Sequence, residues 1–424
     1  MKKIRVGVLG VYRGAMMIKY CKSVQNAELV AVCDKWQEAI DRVKEANPDI
    51  AVYNNFDDFI KHDMDAVVLS NYATEHAPFA IKAMKAGKHV FSEVLPTQTL
   101  KEAVELAETV EQTGKIYAYG ENYCYMKGPY EMRKLYKEGK IGDIEYAECE
   151  YFHNTETIWP MIAYGDPTHW RNYVYSTFYC THSFGPIRHI TGLRPVSVVG
   201  FEDASSERRS RVGAKGAGFG IEMVTLENGA IVRSGHGGAY NNSVWYSING
   251  SKGCMETARE CAENGGFNRI YVNADEYSGA YTSKPITYEP ELKTDGAETF
   301  GHGGSDYWSM YNFIEKIKGN PAADIIDVYE ALDMSLMGIF AYRSILAGGL
   351  PMEIPNFRIK EEREKWRNDV ACTDPKVAGD QLLPTRKGGT PTFAPEVYER
   401  QRKLYEDALN SNTGYMADKF GNFK

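Results

Sequence analysis

The stretch Ile4-Arg-Val-Gly-Val-Leu-Gly-Val-Tyr-Arg-Gly14 decides the fold. Its first part, Ile4–Leu9, is an apolar run typical of a buried strand, and a helical pattern begins near Ala15. Glycines between a strand and a helix let the backbone turn tightly and approach a pyrophosphate at the helix N-terminus. The stretch therefore predicts a nucleotide-binding loop. Its candidate cofactor-binding residues are Gly10, Tyr12, Arg13 and Gly14.

A second predicted strand, residues 28–33, ends at an acidic residue, Asp34, about 20 residues beyond the loop. An acidic side chain there accepts hydrogen bonds from the hydroxyls of an adenine ribose. Asp34 favours NAD as the cofactor, while the neighbouring Lys35 keeps NADP open as the less favoured choice. The alternative is an ordinary strand–turn–helix with a solvated aspartate, because Tyr12 stands where the GxGxxG pattern has its second glycine.

Strand and helix patterns alternate through the first 125 residues. Further strands are predicted at 66–70, 89–92 and 116–119, with helical periods between them. Parallel strands need such crossovers. The pattern therefore predicts an α/β protein whose residues 1–125 form a Rossmann domain, a doubly wound parallel sheet with its ligand beyond the carboxyl ends of the strands.

The remaining chain is richer in β-type segments and turn signals. It predicts a second α/β domain over residues 126–355, with a large, open, mainly antiparallel sheet. Residues 205–220, rich in charge and glycine, are predicted to be a mobile loop, and residues 356–424 an extension that wraps the core or a neighbouring molecule. The predicted strands of this second sheet are 145–152, 195–201, 221–226, 230–234 and 244–249.

Composition excludes several classes of function. A chain of 424 residues predicts more than one domain. Its net charge of −8, without a block of like charge, gives no electrostatic footprint for nucleic acid. No apolar run is long enough to span a bilayer. The N-terminal Met-Lys-Lys and apolar run imitate a signal peptide, but Arg5 interrupts the run and no small-residue cleavage site follows, so we expect a cytoplasmic protein.

Neither a metal site nor a disulfide framework is expected. The eight cysteines form no CxxC pair, and no HxxxH or HExxH pair occurs. His236 and His302 lie in glycine-rich turns, and Cys180 lies close to His182. A thiolate nucleophile or metal ligand is one interpretation of Cys180, and a small buried side chain is the other.

Two motifs carry a family resemblance. Asp65-Ala-Val-Val-Leu-Ser-Asn71-Tyr-Ala-Thr-Glu-His76 and Ile81-Lys-Ala-Met-Lys-Ala-Gly-Lys-His-Val-Phe-Ser-Glu93 resemble the Gfo/Idh/MocA family of NAD(P)-dependent sugar oxidoreductases. The resemblance implies a Rossmann domain followed by an α/β domain whose open sheet faces the nicotinamide and whose other face pairs subunits into a homo-oligomer. It also implies further cofactor-binding residues, namely Asn71, His76, Glu93 and Asn122.

The chain departs from the family's usual dehydrogenases at two proton-handling positions. Those enzymes have a lysine after the glutamate and an aspartate four residues before the active-site histidine. Here Val94 follows Glu93, and Phe178 lies four residues before His182. Neither replacement can exchange a proton.

One branch of the family shares these departures. Tyr179-Cys-Thr-His182-Ser-Phe-Gly-Pro186 and Gly301-His-Gly-Gly-Ser-Asp-Tyr307, together with Glu93-Val94 and Pro96, resemble the NAD-dependent α-N-acetylgalactosaminidases and related redox-assisted glycosidases. The resemblance implies that oxidation of a sugar carbon by NAD acidifies the neighbouring C–H bond, so that the glycosidic oxygen is eliminated and water then adds.

The branch motifs supply the candidates for chemistry. Tyr179 and His182, three residues apart, share one face of a helix and are the predicted proton-transfer pair, with Tyr123 as a second candidate tyrosine. Because a phenol is a weak base at neutral pH, Tyr179 needs a cationic neighbour or the charge of the nicotinamide. The alternative is that these tyrosines are core aromatics.

The substrate side is less specific. The predicted sugar-binding residues are His302, Asp306 and Tyr307; the alternative is a turn whose aspartate caps the next helix. Trp170 and Arg171 resemble the family's loop near the nicotinamide, and a surface patch is the alternative.

Three functions follow from this sequence. The first is an NAD-dependent enzyme that acts on a small carbohydrate or glycoside by transient oxidation. The second is a simple sugar or inositol dehydrogenase, for which Val94 is an obstacle. The third is a non-catalytic dinucleotide-binding protein.

Overall fold

The computed structural model describes residues 3–259, 269–274, 285–292 and 296–411. Two sheets organise this part of the chain. The first is a six-stranded parallel sheet with strand order β3-β2-β1-β4-β5-β6, which confirms the predicted Rossmann domain. Its strands are β1 (Ile4–Leu9), β2 (Ala27–Cys33), β3 (Ala51–Tyr53), β4 (Ala66–Leu69), β5 (His89–Ser92) and β6 (Tyr117–Tyr119).

Both faces of the first sheet are buried. Along β4, Ala66 and Val68 point into one apolar core, whereas Val67 and Leu69 point into the other. Such alternation places successive side chains on opposite faces, and helices must cover both of them. The α-helices of the described residues are α1 (Ala15–Ser23), α2 (Gln37–Ala46), α3 (Phe56–Phe59), α4 (His76–Lys85), α5 (Leu100–Thr113), α6 (Lys127–Lys137), α7 (Trp159–Ala163), α8 (Cys180–Thr191), α9 (Glu207–Arg211), α10 (Ser305–Ile317), α11 (Val328–Leu346), α12 (Lys360–Glu364) and α13 (Pro395–Ser411).

The second sheet is mostly antiparallel, as predicted. Its order is β14-β13-β12-β11-β7-β10-β9-β8-β15, and among the described pairings only β7 with β10 is parallel. The prediction of a loop over 205–220 is wrong in part, because α9 forms within it and β9 begins at its end. The strands are β7 (Ile144–Phe152), β8 (Pro195–Glu202), β9 (Phe219–Leu226), β10 (Ile231–Gly237), β11 (Ser243–Gly250), β12 (Gly253–Thr257), β13 (Ile270–Ala274), β14 (Ile286–Tyr288) and β15 (Met352–Glu353).

Two helices cover one face of the second sheet. Helix α8 contacts β7, β10 and β11, while α11 lies along β8 and also against α8. The hydroxyl of Ser183 on α8 lies 2.8 Å from that of Ser234 on β10, and Tyr246 Oη on β11 donates to the carbonyl of His182 at 2.6 Å. These buried hydrogen bonds fix the first turn of α8, which carries the predicted catalytic histidine, against the sheet.

Helix α10 returns to the first sheet although it follows the second in sequence. Its Met310, Phe313 and Ile314 are buried in the same core as Val6 and Val8 of β1. The two domains are therefore joined by packing as well as by the chain.

The C-terminal segment lies against the chain's own domains. Thr373 Oγ1 donates to the carbonyl of Tyr173 at 2.6 Å, and Thr385 Oγ1 to that of Lys215 at 2.8 Å. Helix α13 rests on α7, where Tyr398 Oη donates to the carbonyl of Gly213 at 3.0 Å. A Cβ at Gly213 would stand 2.4 Å from the Tyr398 ring, so α13 can pack at this place only because residue 213 is a glycine. None of the described helices combines the length and apolar character that crossing a membrane requires.

Candidate active site

A crevice of about 770 Å³ separates the carboxyl edge of the first sheet from the covered face of the second. Its size is that of a site for a small molecule or cofactor. The Rossmann wall, as we call the residues contributed by the first domain, includes Gly10, Tyr12, Arg13, Asp34, Asn71, His76 and Glu93. The sheet wall, contributed by the second domain, includes Tyr151, His153, Arg171, Tyr179, His182, His236 and His302.

Backbone contacts explain both glycines of the nucleotide loop. Gly10 has φ +87°, and a Cβ there would stand 2.5 Å from the carbonyl oxygen of Ser70. A Cβ at Gly14 would stand 2.6 Å from the Gly10 carbonyl. Gly14 does not line the crevice; it lets the start of α1 pack closely beneath the loop.

Asp34 lies at the crevice edge, as predicted. Its Oδ2 accepts from the amide of Val11 at 2.8 Å and its Oδ1 from the amide of Trp36 at 3.0 Å. These bonds orient the carboxylate at the end of β2. The ring of Tyr12, in place of the second glycine, lies 6.1 Å from that of Trp36 and also lines the crevice.

His76 and Asn71 occupy the loop after β4. His76 Nδ1 lies 2.9 Å from the carbonyl of Leu95, and burial lowers the pKa of the imidazole to about 4. The ring is therefore neutral at pH 7, and Nδ1 must be the donor. Its Nε2 has no hydrogen-bond partner among the described residues. Asn71 Nδ2 donates to Glu75 at 3.1 Å.

A charged network joins the two walls. The Arg13 guanidinium lies 2.7 Å from Glu93 Oε1 and 3.3 Å from Asp306 Oδ2. Asp306 also faces His302 Nδ1 at 3.2 Å and accepts from Asn122 Nδ2 at 3.1 Å. Burial raises the pKa of Glu93. Burial acts in the same direction on Asp306, but Arg13 and His302 outweigh it and hold the pKa of Asp306 well below its usual range.

This network changes the interpretation of the 301–307 motif. Asp306 is only 2% exposed and does not line the crevice, whereas His302 does. The capping alternative is wrong, because Gly304 is the N-cap of α10 and no side chain caps it. The ring of Tyr307 packs 5.2 Å from that of Tyr20 and 5.3 Å from that of Phe300, away from the crevice.

Tyr179 and His182 come together as predicted. Tyr179 is the N-cap of α8, His182 lies in its first turn, and their rings stack at 5.7 Å. Arg171 Nη1 donates to Tyr179 Oη at 2.6 Å, which supplies the cationic neighbour that the sequence argument required. His182 Nδ1 lies 2.8 Å from the buried carboxylate of Glu121. This bond fixes the ring and leaves Nε2 for a ligand.

Two more tyrosines surround His182. The rings of Tyr123 and Tyr151 lie 4.6 and 4.7 Å from the imidazole, and 5.3 Å from each other. Burial raises the pKa of both phenols, so both are neutral at pH 7. Tyr151 lines the crevice, but Tyr123 lies behind it.

Sequence reasoning missed Tyr151, His153 and the role of Glu121. Tyr151 and His153 lie at the end of β7, with nothing local to separate them from other strand aromatics. Glu121 was visible only as the neighbour of Asn122 and Tyr123. An acid two residues after β6, at the edge where ligands bind, was the available signal.

Trp170 does not line the crevice. It is 7% exposed, and the Arg171 guanidinium lies over its ring at 4.4 Å. Trp170 therefore supports Arg171, which does line the crevice, rather than offering a face to a sugar.

Cys180 is buried, and its Sγ lies 3.4 Å from the Met334 carbonyl. Burial raises the pKa of the thiol well above its usual range, which favours the inert interpretation. The cysteines that the structure describes are all free; Cys261 lies outside the described residues. Within the described ranges, no three His, Cys, Asp or Glu side chains are grouped to hold a metal ion.

Comparison with known proteins identifies both domains. Residues 4–121 match the oxidoreductase family NAD-binding Rossmann fold (Gfo/Idh/MocA), and residues 232–368 match the glycosyl hydrolase 109 C-terminal domain. The predicted family resemblance and the predicted NAD-binding domain are confirmed.

Relatives and solved structures match most of the chain. A glycosyl hydrolase family 109 protein of Solibacter usitatus is 26% identical over 402 residues, covering 86% of this chain and 89% of the relative. An oxidoreductase domain protein from Kribbella flavida is 18% identical with a TM-score of 0.69, covering 84% of this chain and all of that one. Myo-inositol 2-dehydrogenase from Lactobacillus plantarum is 20% identical with a TM-score of 0.63, covering 83% of this chain and all of that one.

Proposed function

The chain joins a Gfo/Idh/MocA NAD-binding Rossmann domain to a glycosyl hydrolase 109 C-terminal domain, and from this premise we propose that it cleaves a glycoside through transient oxidation of the sugar. The observation that carries the proposal is the stacked Tyr179–His182 pair in the crevice, with Arg171 behind one ring and Glu121 behind the other. A glycoside has a hydroxyl proton and a neighbouring C–H proton, one for His182 and one for Tyr179 to take.

The Rossmann wall fits a dinucleotide. The Gly10 and Gly14 positions have no space for a Cβ, Asp34 is oriented at the crevice edge, and His76 presents an unpartnered buried nitrogen. We propose that these groups hold NAD, with Tyr12, Arg13, Asn71 and Glu93 beside them. When bound, NAD accepts a hydride from a ring carbon that bears a hydroxyl and returns it at the end of the cycle.

His182 is suited to take the hydroxyl proton. Glu121 accepts from Nδ1 and stabilises the imidazolium that forms, so that Nε2 acts as the base. Once that carbon is a ketone, the C–H bond next to it becomes acidic. Tyr179 takes this proton, and the Arg171 guanidinium that donates to its oxygen lies beside the negative charge that forms there.

The same steps complete a hydrolysis. Loss of the C–H proton gives an enolate, and the C=C bond then forms as the adjacent C–O bond to the aglycone breaks. Water then supplies a hydroxyl group to the carbon that lost the aglycone and a proton to replace the one that left with the aglycone, while Tyr179 returns its proton to the neighbouring carbon. The ketone regains its hydride, and His182 returns the hydroxyl proton. The net reaction consumes water and leaves the cofactor as it began.

The experiment uses the purified protein with an aryl glycoside in D2O and no added cofactor. We expect aglycone release without accumulation of reduced NAD, and deuterium at the ring carbon next to the transient ketone. Steady accumulation of reduced NAD without aglycone release would instead indicate a dehydrogenase. Tight dinucleotide binding without exchange for any sugar tested would indicate a binding protein.

We also propose a cytoplasmic homo-oligomer that pairs through the face of the second sheet opposite α8. That face carries large side chains such as Trp245 on β11. Trp245 is half-buried, whereas its neighbours along the strand, which point to the α8 face, are buried. Sedimentation velocity tests the assembly: a monomer at micromolar concentration would contradict it.

A further inference from the structure

In the second sheet, at the wall of the crevice, lies a carboxyl–imidazole pair that the steps above do not use. Glu222 on β9 and His236 on β10 are 0% and 3% exposed, and Glu222 Oε1 lies 3.4 Å from His236 Nδ1. Ser234 and the backbone of Ser176 act on the pKa of Glu222 and of His236 respectively, but neither carboxyl oxygen and neither ring nitrogen makes a well-aligned hydrogen bond to any described residue. Such burial is costly, and a site that keeps two unsatisfied ionisable groups calls for a functional reason.

Strand register points this pair at the catalytic group. His236 is the Cα partner of Tyr151 on β7, and Glu222 that of Ser234, two residues before His236. Partners across a ladder and residues two apart share a face of the sheet. His236 and Glu222 therefore lie on the face that α8 covers, beside the tyrosine whose ring contacts His182.

The pair reaches the crevice through His236, which lines it together with Gly238. Because Nδ1 faces Glu222, Nε2, although itself buried, is the nitrogen left for a bound molecule. Glu222 does not line the crevice and acts only through His236.

The other histidines of the sheet wall lack this arrangement. His182 faces Glu121 and takes part in the oxidation step, while His302 faces Asp306, which is already paired with Arg13. His153 lines the crevice, but no carboxylate of the described residues lies within ion-pair distance of it.

We propose that His236 is the general acid for the departing aglycone oxygen and that Glu222, a positioning residue, supplies its proton. This inference rests on the proposed glycoside cleavage and adds the group that completes it. As the C–O bond breaks, the oxygen takes the proton of Nε2 and leaves as a neutral alcohol, while Nδ1 takes the proton of the Glu222 carboxyl group. When water adds, its proton returns through Nε2 and the carboxyl group is restored.

The electrostatics agree with this assignment. Burial raises the pKa of Glu222 to about 8, and burial lowers that of His236 to about 4. At pH 7 the pair is therefore neutral, with a protonated carboxyl group and an imidazole that carries one proton. A neutral pair also explains how the protein accommodates both groups without a counter-charge.

The test compares two glycosides of one sugar, one with an acidic nitrophenol as aglycone and one with a simple alcohol. The nitrophenolate leaves without a proton, but an alkoxide does not. We expect His236→Gln to lower turnover of the alkyl glycoside by about 10²–10⁴-fold and that of the nitrophenyl glycoside by less than about tenfold. Glu222→Gln should show the same selectivity, because an amide cannot deliver the proton.

Two measurements distinguish loss of the general acid from a failure of the proposed function and from misfolding of the variants. Both variants should still exchange deuterium into the ring carbon in D2O, since that step precedes aglycone departure. His153→Gln, which removes a crevice imidazole without a carboxyl partner, should affect both glycosides equally. Equal losses on the two glycosides in His236→Gln, or no loss on either, would overturn the inference. Absence of exchange in the wild-type protein would instead overturn the proposed function.

Discussion

The two walls of the crevice are built differently. Ligand-facing residues of the Rossmann wall follow the ends of neighbouring parallel strands of the sheet, as Gly10, Asp34 and Asn71 follow β1, β2 and β4. The sheet wall draws Tyr151 from the end of one strand, His236 from the strand beside it, and His182 from a helix that covers both.

This difference teaches which interactions each wall can supply. Backbone turns and one oriented carboxylate recognise a cofactor that many proteins share. Proton transfer needs side chains with buried partners behind them, such as Glu121 behind His182. We therefore expect changes in the sheet wall to affect turnover and changes in the Rossmann wall to affect cofactor binding.

Tyr179→Phe should give the largest effect, and it should separate turnover, which depends on the sheet wall, from cofactor binding, which depends on the Rossmann wall. It removes the phenol that we propose takes the C–H proton, and we expect kcat to fall by about 10²–10⁴-fold with NAD affinity unchanged. Aglycone release and NAD titration by fluorescence measure the two quantities. Tyr123→Phe, which alters a tyrosine behind the crevice, should lose less activity. Wild-type turnover by Tyr179→Phe would remove the distinction between the walls.

Asp306→Ala tests the network that joins the walls. It leaves Arg13 without one of its two carboxylates, and we expect a loss of about 3–5 kcal/mol in the free energy of unfolding. Because the pKa of Asp306 is lowered in the folded protein, its contribution is present above the ordinary aspartate value of about 4 and is lost as the pH falls through the lower folded value. Urea unfolding at neutral and acidic pH measures both effects.

The control for that variant is Tyr307→Phe, on the same helix but facing Tyr20 and Phe300. It should change the free energy of unfolding by less than about 0.5 kcal/mol. Equal stability of Asp306→Ala and the wild type would mean that the walls are held together by apolar packing alone.

Glu222→Gln tests how much the buried Glu222 carboxyl group lowers the free energy of unfolding. The raised pKa of about 8 means that folding favours the protonated acid, so wild-type stability is highest below the ordinary glutamate value and falls as the pH rises through 8. The variant has no such proton, and above pH 8 we expect it to be more stable than the wild type by about 1–3 kcal/mol. Thermal unfolding across this pH range checks the sign. A constant difference between the two proteins would contradict it.

The smallest effect concerns a residue that belongs to neither wall by sequence. Tyr405 on α13 lines the same crevice as Asp34, and its ring packs 5.1 Å from that of Tyr164. We expect Tyr405→Ala to speed NAD dissociation by up to about tenfold, the equivalent of one aromatic contact. Stopped-flow fluorescence measures the rate, with the exposed Leu404→Ala as control. An unchanged dissociation rate would mean that Tyr405 does not contact NAD and that the Rossmann wall alone binds the cofactor.

The sequence predicted the Rossmann wall better than the sheet wall because its signals are local. The strand, glycines and acid that hold Gly10 and Asp34 lie within one short stretch. Strand β3 was missed, since three residues with Val52 exposed carry no readable period. The structure brings Tyr179 and His182 together because a spacing of three on a helix is equally local.

Long-range pairing explains what the sequence did not predict. Nothing in the residues around His236 indicates that β10 pairs with β7 in parallel and brings it beside Tyr151. Trp170 and Tyr307 look like ligand-binding aromatics in their motifs, but Arg171 covers one ring and α1 the other. Which aromatic side chain is covered depends on elements distant in sequence.

The position of α13 has a consequence for how the enzyme is made. Tyr405 helps to line a crevice that Gly10, synthesised almost four hundred residues earlier, also lines. Domains fold from the N-terminus as the ribosome proceeds. The nucleotide domain is therefore finished while this helix is still untranslated, and the enclosed pocket exists only in chains whose synthesis has passed α13.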